Sequence, residues 1–164
     1  MQRDTKKIQV IAIIVLLVAL YFVGVPGFIS GSSLLMSALH HFFHANAVHL
    51  IINCFVLYSL RKTLTINKLV AAWFIGSLSY IFALRPTIGF SDIIYALIGM
   101  STPPLASRWW RSPSTIIFLC ATVAYLFVPS VSATTHIASL VIGVIASCVV
   151  RFRNKLNSDY EKAK

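Results

Sequence analysis

The stretch Gly89-Phe90-Ser91-Asp92-Ile93-Ile94-Tyr95-Ala96-Leu97-Ile98-Gly99-Met100 sets a Ser-Asp pair at the head of an otherwise apolar run. Gly89 frees the backbone ahead of the run, so a helix is expected to start near Ser91. Unpaired backbone N–H groups and the positive dipole end favour negative charge there. A serine at such a position reads in two ways. It caps the helix, or it is a nucleophile whose developing oxyanion the helix end stabilises. The second reading requires a base and further donors from elsewhere in the chain.

Outward from this stretch the surroundings are apolar. The 164 residues are 58% hydrophobic and 11% charged, with a mean hydropathy of +0.84, which places one membrane-embedded domain over residues 1–164. Fourteen Lys and Arg against four Asp and Glu give a net charge of +10. In a nucleic-acid-binding chain such charge gathers in a stripe. Here it falls between apolar runs and at both ends, the pattern of loops facing anionic lipid, so nucleic acid is excluded and membrane lipid is the expected partner. Cys54, Cys120 and Cys148 each lie inside an apolar run and form neither a disulfide framework nor a zinc spacing. Arg3, Lys6 and Lys7 precede an apolar run that outlasts a signal-peptide core, with no small-residue cleavage site after it, so the run reads as an uncleaved first span.

The pattern predicts an all-α polytopic membrane protein with six transmembrane helices in one compact bundle, over about residues 8–25, 46–60, 66–84, 91–105, 115–128 and 134–150. Asn46 is the expected N-cap of the second. After the break at Pro26, Gly27 and Gly31, residues 34–43 read as a connection at the outer surface, and the tail from residue 154 as frayed. Several spans are short, which implies tilt or local bilayer thinning. Six spans put both termini on one side, and every Lys and Arg except Arg85 falls there. The positive-inside rule makes that side cytoplasmic, and a bacterial cytoplasmic membrane is the expected location.

This topology brings the polar residues of three spans to one depth. The second enters from outside with His49 and Asn53, the fourth with Ser91, the sixth with His136, all within about two turns of the same surface. His49 and Asn53 are four apart and share a face, as do Ser91 and Tyr95. Taken singly, each histidine reads as interfacial and Asn53 as interhelical glue. Taken together they supply what a serine nucleophile needs. His136 is the base; the Asn53 amide, the His49 ring and the Ser91 N–H are oxyanion donors.

The segment His40-His41-Phe42-Phe43-His44-Ala45-Asn46-Ala47-Val48-His49-Leu50-Ile51-Ile52-Asn53, with Gly89-Phe90-Ser91, Tyr95-Ala96-Leu97-Ile98-Gly99 and His136-Ile137-Ala138, resembles the signatures of the rhomboid family of intramembrane serine proteases. The resemblance runs in order over about residues 8–150. It implies a serine-type endopeptidase that cleaves transmembrane protein substrates in or near their membrane segments by a Ser91-His136 dyad, with His49 and Asn53 on the oxyanion side and no metal or cofactor. Gly89, Tyr95 and His44 are the supporting positions, and His40, His41, His44 and Asn46 form the expected polar mouth that admits water. The chain departs from the family at Asp92 and Ser139, both usually glycine, and it lacks the long first outer loop with its Trp-Arg pair.

Two rival functions are a catalytically inactive rhomboid-like protein that binds membrane clients, and a metal or haem protein using His40, His44 and His49. Asp92 invites reading as a third catalytic member. Adjacent helical residues point roughly 100° apart, so with Ser91 facing the site Asp92 is expected to face away from His136. A pairing with Ser139 across the fourth and sixth spans is expected instead, with a slightly wider helix spacing. The topology has a direct test. Single cysteines placed at Ser32 and Ser130 should react with an impermeant thiol reagent from the outer side, and one at Ser112 only from the cytoplasm; outer labelling at Ser112 would reverse the orientation.

Overall fold

The computed structural model of the chain describes residues 2–23, 34–83, 87–101, 116, 120 and 132–162. Among these the structure is helical throughout, with no strand. The helices whose bounds lie among the described residues are α1 (Gln2–Val23), α2 (Leu34–Leu39), α3 (Ala47–Ser59), α4 (Ile66–Ser79), α5 (Ser91–Ser101) and α6 (Ala133–Lys162). Short 3-10 turns extend α2 through His40–Phe42, α3 through Leu60–Lys62 and α4 through Tyr80–Phe82. The fifth expected span, residues 115–128, lies outside the described residues apart from Ile116 and Cys120, as does the end of the fourth beyond Ser101.

Local chemistry accounts for the boundaries. The Asn46 side chain accepts the His49 N–H at 2.9 Å and starts α3 as its cap, and Thr65 does the same for α4 through the Lys68 N–H at 3.3 Å. Two boundaries differ from expectation. Residues 34–42 are helical and packed inward rather than a surface connection: Ser37 Oγ donates to the Ser77 carbonyl at 2.8 Å and Trp73 Nε1 to that of Ala38 at 2.9 Å. The tail is helix through Lys162, not frayed, because its Arg, Lys, Leu and Glu residues propagate a helix that α6 has already nucleated.

Among the described residues two helices are long and apolar enough to cross a membrane, Thr5–Val23 and Ala133–Lys162. A third candidate is the pair Leu35–Phe42 and Ala47–Lys62, bent by 86° at its break. Ile66–Phe82 and Ser91–Ser101 are apolar but shorter. The distribution of polarity is that of a protein in lipid. Val48, Ile51 and Phe55 of α3, Val70, Phe74 and Leu78 of α4, and Ile137, Val141, Ile145 and Val149 of α6 form exposed apolar stripes at helical spacing. The polar side chains Ser37, His40, His41, Asn53, Ser79, Ser91, Asp92, Thr135, His136 and Ser139 are buried. Water rewards the reverse arrangement; hydrocarbon rewards this one.

α5 is the centre of the bundle. Every residue from Ser91 to Gly99 is buried, so the helix has no lipid face. Its most extensive contact is with α6, then with α4, and α3 and the His40–Phe42 turn close over its start. α5 and α6 meet backbone to backbone. A Cβ added at Gly99 would strike the Leu140 carbonyl oxygen, and one at Gly143 would lie 2.5 Å from the Ala96 oxygen. Without a hydrophobic drive between helices in lipid, close approach through small residues supplies the packing. Gly99→Ala should therefore destabilise the protein by ~1–3 kcal/mol, read as a lower denaturation midpoint in detergent. An unchanged midpoint would mean that α5 and α6 do not meet at Gly99.

Candidate active site

Ser91 and His136 come together where the first turns of α5 and α6 abut. Ser91 Oγ lies 2.8 Å from His136 Nε2, and both residues are buried. A serine at the first position of a helix is often a cap. Here its hydroxyl is bonded to the imidazole, and the Ile94 N–H is satisfied by the Phe90 carbonyl at 3.1 Å. The Tyr95 ring stacks on His136 with centroids 4.6 Å apart and planes 21° apart. The four-residue spacing of Ser91 and Tyr95 thus places both against one imidazole, the hydroxyl at its edge and the phenol ring on its face. A face-on neighbour blocks tilting of the ring yet permits rotation in its own plane.

The turn before α5 is pinned to the segment before α3. The Gly89 N–H donates to the His40 carbonyl at 3.1 Å, and the Phe90 N–H to His44 Nε2 at 3.5 Å. His44 in turn meets the His49 ring edge-on, at 5.3 Å between centroids. Gly89 has φ +129°, a conformation that disfavours side chains, and a Cβ there would run into the His49 imidazole. Glycine at this position therefore serves both the turn and the seat of His49. Asn53, one turn further along α3, is 1% exposed and neither of its amide atoms has a hydrogen-bond partner among the described residues. A buried amide left in that state costs stability, about 1–3 kcal/mol, and holds two N–H donors ready for an incoming oxygen.

The structure corrects the expectations for Asp92 and for the mouth. Asp92 does not face away from the site: its Oδ1 is 3.5 Å from His136 Nε2, and its Oδ2 is 3.6 Å from His40 Nε2. Ser139, the expected partner, is fully buried with no hydrogen-bond partner for its hydroxyl among the described residues. A turn of 100° between neighbours still leaves a two-torsion carboxylate able to reach an imidazole edge beside the serine. About two turns from Ser91 and His136, Gly99 and Gly143 bring the two helices into backbone contact. His40 and His41 are 1% and 0% exposed, so they belong to the interior; the exposed rim is Ala45, Asn46 and Ala47. Sequence reasoning missed His40 as a site residue. The signal was present, because a carboxylate at this depth needs a cationic or donor partner.

His40, His44 and His49 do not form a metal-ligand group among the described residues. The group that comes nearest is His40, His41 and Asp92, with ligand atoms within 4.8 Å of one another. The two imidazole centroids are 3.8 Å apart with their planes tilted by 42°, and His40 Nδ1 is already bonded to the Met36 carbonyl at 3.2 Å. The described site offers a hydroxyl, an imidazole in contact with it, one carboxylate and an amide without a partner among the described residues. That set is suited to nucleophilic attack on a carbonyl carbon. No protein-family model matches the chain, and no curated protein matches it.

Proposed function

We propose that the protein is a rhomboid-type intramembrane serine endopeptidase, a six-span bundle with both termini in the cytoplasm of a bacterial cell, cleaving transmembrane protein substrates in or near their membrane segments. The observation that carries this reading is the 2.8 Å contact between Ser91 Oγ and His136 Nε2, buried inside a bundle whose outer surface is apolar. A serine hydroxyl is a weak nucleophile until a base takes its proton. A Ser-His contact at this depth in an apolar shell has little other use, since a structural serine satisfies itself on the backbone of its own helix.

In the proposed reaction His136 takes the Ser91 proton as Oγ attacks the scissile carbonyl. The Asn53 amide, the His49 ring and the free N–H groups at the head of α5 face the oxyanion. His136 then protonates the leaving nitrogen, and the C–N bond breaks. Water entering past Asn46 and His49 hydrolyses the acyl-enzyme by the reverse sequence of proton transfers. Tyr95 holds the imidazole plane throughout.

Ser91→Ala and His136→Ala should each abolish cleavage of a transmembrane reporter in detergent or vesicles, and labelling by a serine-directed fluorophosphonate should vanish with Ser91→Ala. Wild-type activity in either variant would end the protease assignment in favour of client binding. Asn53→Ala should lower kcat on the order of 10²-fold to 10³-fold while changing KM little, because its donors act on the oxyanion and not on the bound substrate. Unchanged turnover in the folded variant would return Asn53 to helix packing.

A further inference from the structure

Asp92 is the one acid buried at the site, and its two oxygens address two different histidines. Oδ2 lies 3.6 Å from His40 Nε2 and Oδ1 lies 3.5 Å from His136 Nε2. The hydrogen bonds of His40 fix what that first contact is. A carbonyl oxygen only accepts, so Nδ1 carries the proton donated to Met36 O; in a neutral ring Nε2 then presents a lone pair to the carboxylate. His40 Nε2 thus faces the Asp92 carboxylate at ion-pair distance, and Gly76 of α4 packs beside it, against the His41 ring and the backbone of Asp92 and Ile93.

The second contact is on the reacting nitrogen itself. Nε2 of His136 is held by Ser91 Oγ at 2.8 Å and has Asp92 Oδ1 as its next acceptor. Once Oγ is bonded to the acyl carbon it ceases to be a good acceptor, and the N–H formed on Nε2 needs another. Rotation of the imidazole in the plane set by Tyr95 brings that N–H toward Oδ1.

Resting on the protease reading above, we propose that Asp92 is a positioning residue for the dyad's proton: tethered by His40, its carboxylate receives the Nε2–H of His136 between proton transfers and keeps the imidazolium beside the leaving group. The balance is simple. The proton leaves Ser91 Oγ as the O–C bond forms, rests on Nε2 against Oδ1, and passes to the amine nitrogen as the C–N bond breaks. In deacylation the proton of water follows the same route back to Oγ. The carboxylate itself gains no proton from His136. This differs from a triad, in which the acid orients the base through its other nitrogen.

Asp92→Asn keeps the shape and removes the charge. Its kcat on a transmembrane reporter should fall on the order of 10-fold to 10²-fold with KM nearly unchanged, at wild-type helicity and denaturation midpoint. A wild-type kcat would overturn the proposal, as would a loss confined to KM. A second measurement does not depend on turnover. In ¹⁵N-histidine-labelled Ser91→Ala protein, the His136 Nε2–H should give a downfield, exchange-protected signal that moves upfield in Ser91→Ala/Asp92→Asn, since hydrogen bonds to an anion are the stronger ones. The same signal in both proteins would overturn the pairing. Absence of any peptidase activity in wild type would sink the protease reading alone, and the spectroscopic comparison would still decide the contact. Loss of wild-type activity on chelation, restored by zinc, would assign His40, His41 and Asp92 to a metal and overturn the proposal.

Discussion

The backbone contact between α5 and α6 governs how near a serine on one helix can come to a histidine on the other. Gly99 meets Leu140 and Val144, and Gly143 meets Ala96 and Met100, roughly two turns from the dyad. A hydrogen bond of 2.8 Å between Ser91 and His136 tolerates an error of a few tenths of an ångström. Side chains of ordinary size at the two glycines would separate the axes by more than that. The packing of Tyr95 on His136 depends on the same approach, because a ring stacked at contact distance cannot follow a helix that has been pushed away. Close packing of the apolar halves of two helices therefore fixes the chemistry at their polar ends.

A central helix with no lipid face has a second consequence. Among the described residues α5 is surrounded by α3, α4, the His40–Phe42 turn and α6, and the polar groups at its head find partners there. Ser91 finds His136, and Asp92 finds His40 and His136. The exposed stripes on α3, α4 and α6 carry almost nothing but apolar side chains. In hydrocarbon an unsatisfied polar group has no water to fall back on, which makes an interior amide such as Asn53, lacking a partner among the described residues, costly enough to need a reason. The proposed oxyanion role is such a reason.

Much of this was legible in the sequence. α3 and α5 start beside Asn46 and Gly89 as expected, because a cap and a glycine turn act through local chemistry that a sequence displays. The meeting of Ser91, Tyr95 and His136 followed from helical spacing and from which ends of the runs carried polar residues. Less legible was the segment of residues 34–42. Its apolar run is short and ends in histidines, which in isolation suits a surface connection, and only the bonds from Trp73 and to Ser77 reveal that α4 holds it inward. The continuation of α6 to Lys162 was missed for the opposite reason. That end is exposed, so it has no buried hydrophobic period to read, and helix propensity extends it.

Asp92 shows where helical-wheel reasoning stops. An angle of 100° between adjacent residues separates two faces only if one of them is occupied by a single neighbour. At the head of α5 the neighbours are arranged all round, and they converge because Gly89 and Phe90 are bonded back to His40 and His44. Turning away from one partner therefore turns the side chain toward another, and the carboxylate, long enough to bridge, takes both. A buried carboxylate carries more lone pairs than one hydroxyl can answer, whereas the two imidazoles bring one ring nitrogen to within 3.6 Å of Oδ2 and another to within 3.5 Å of Oδ1.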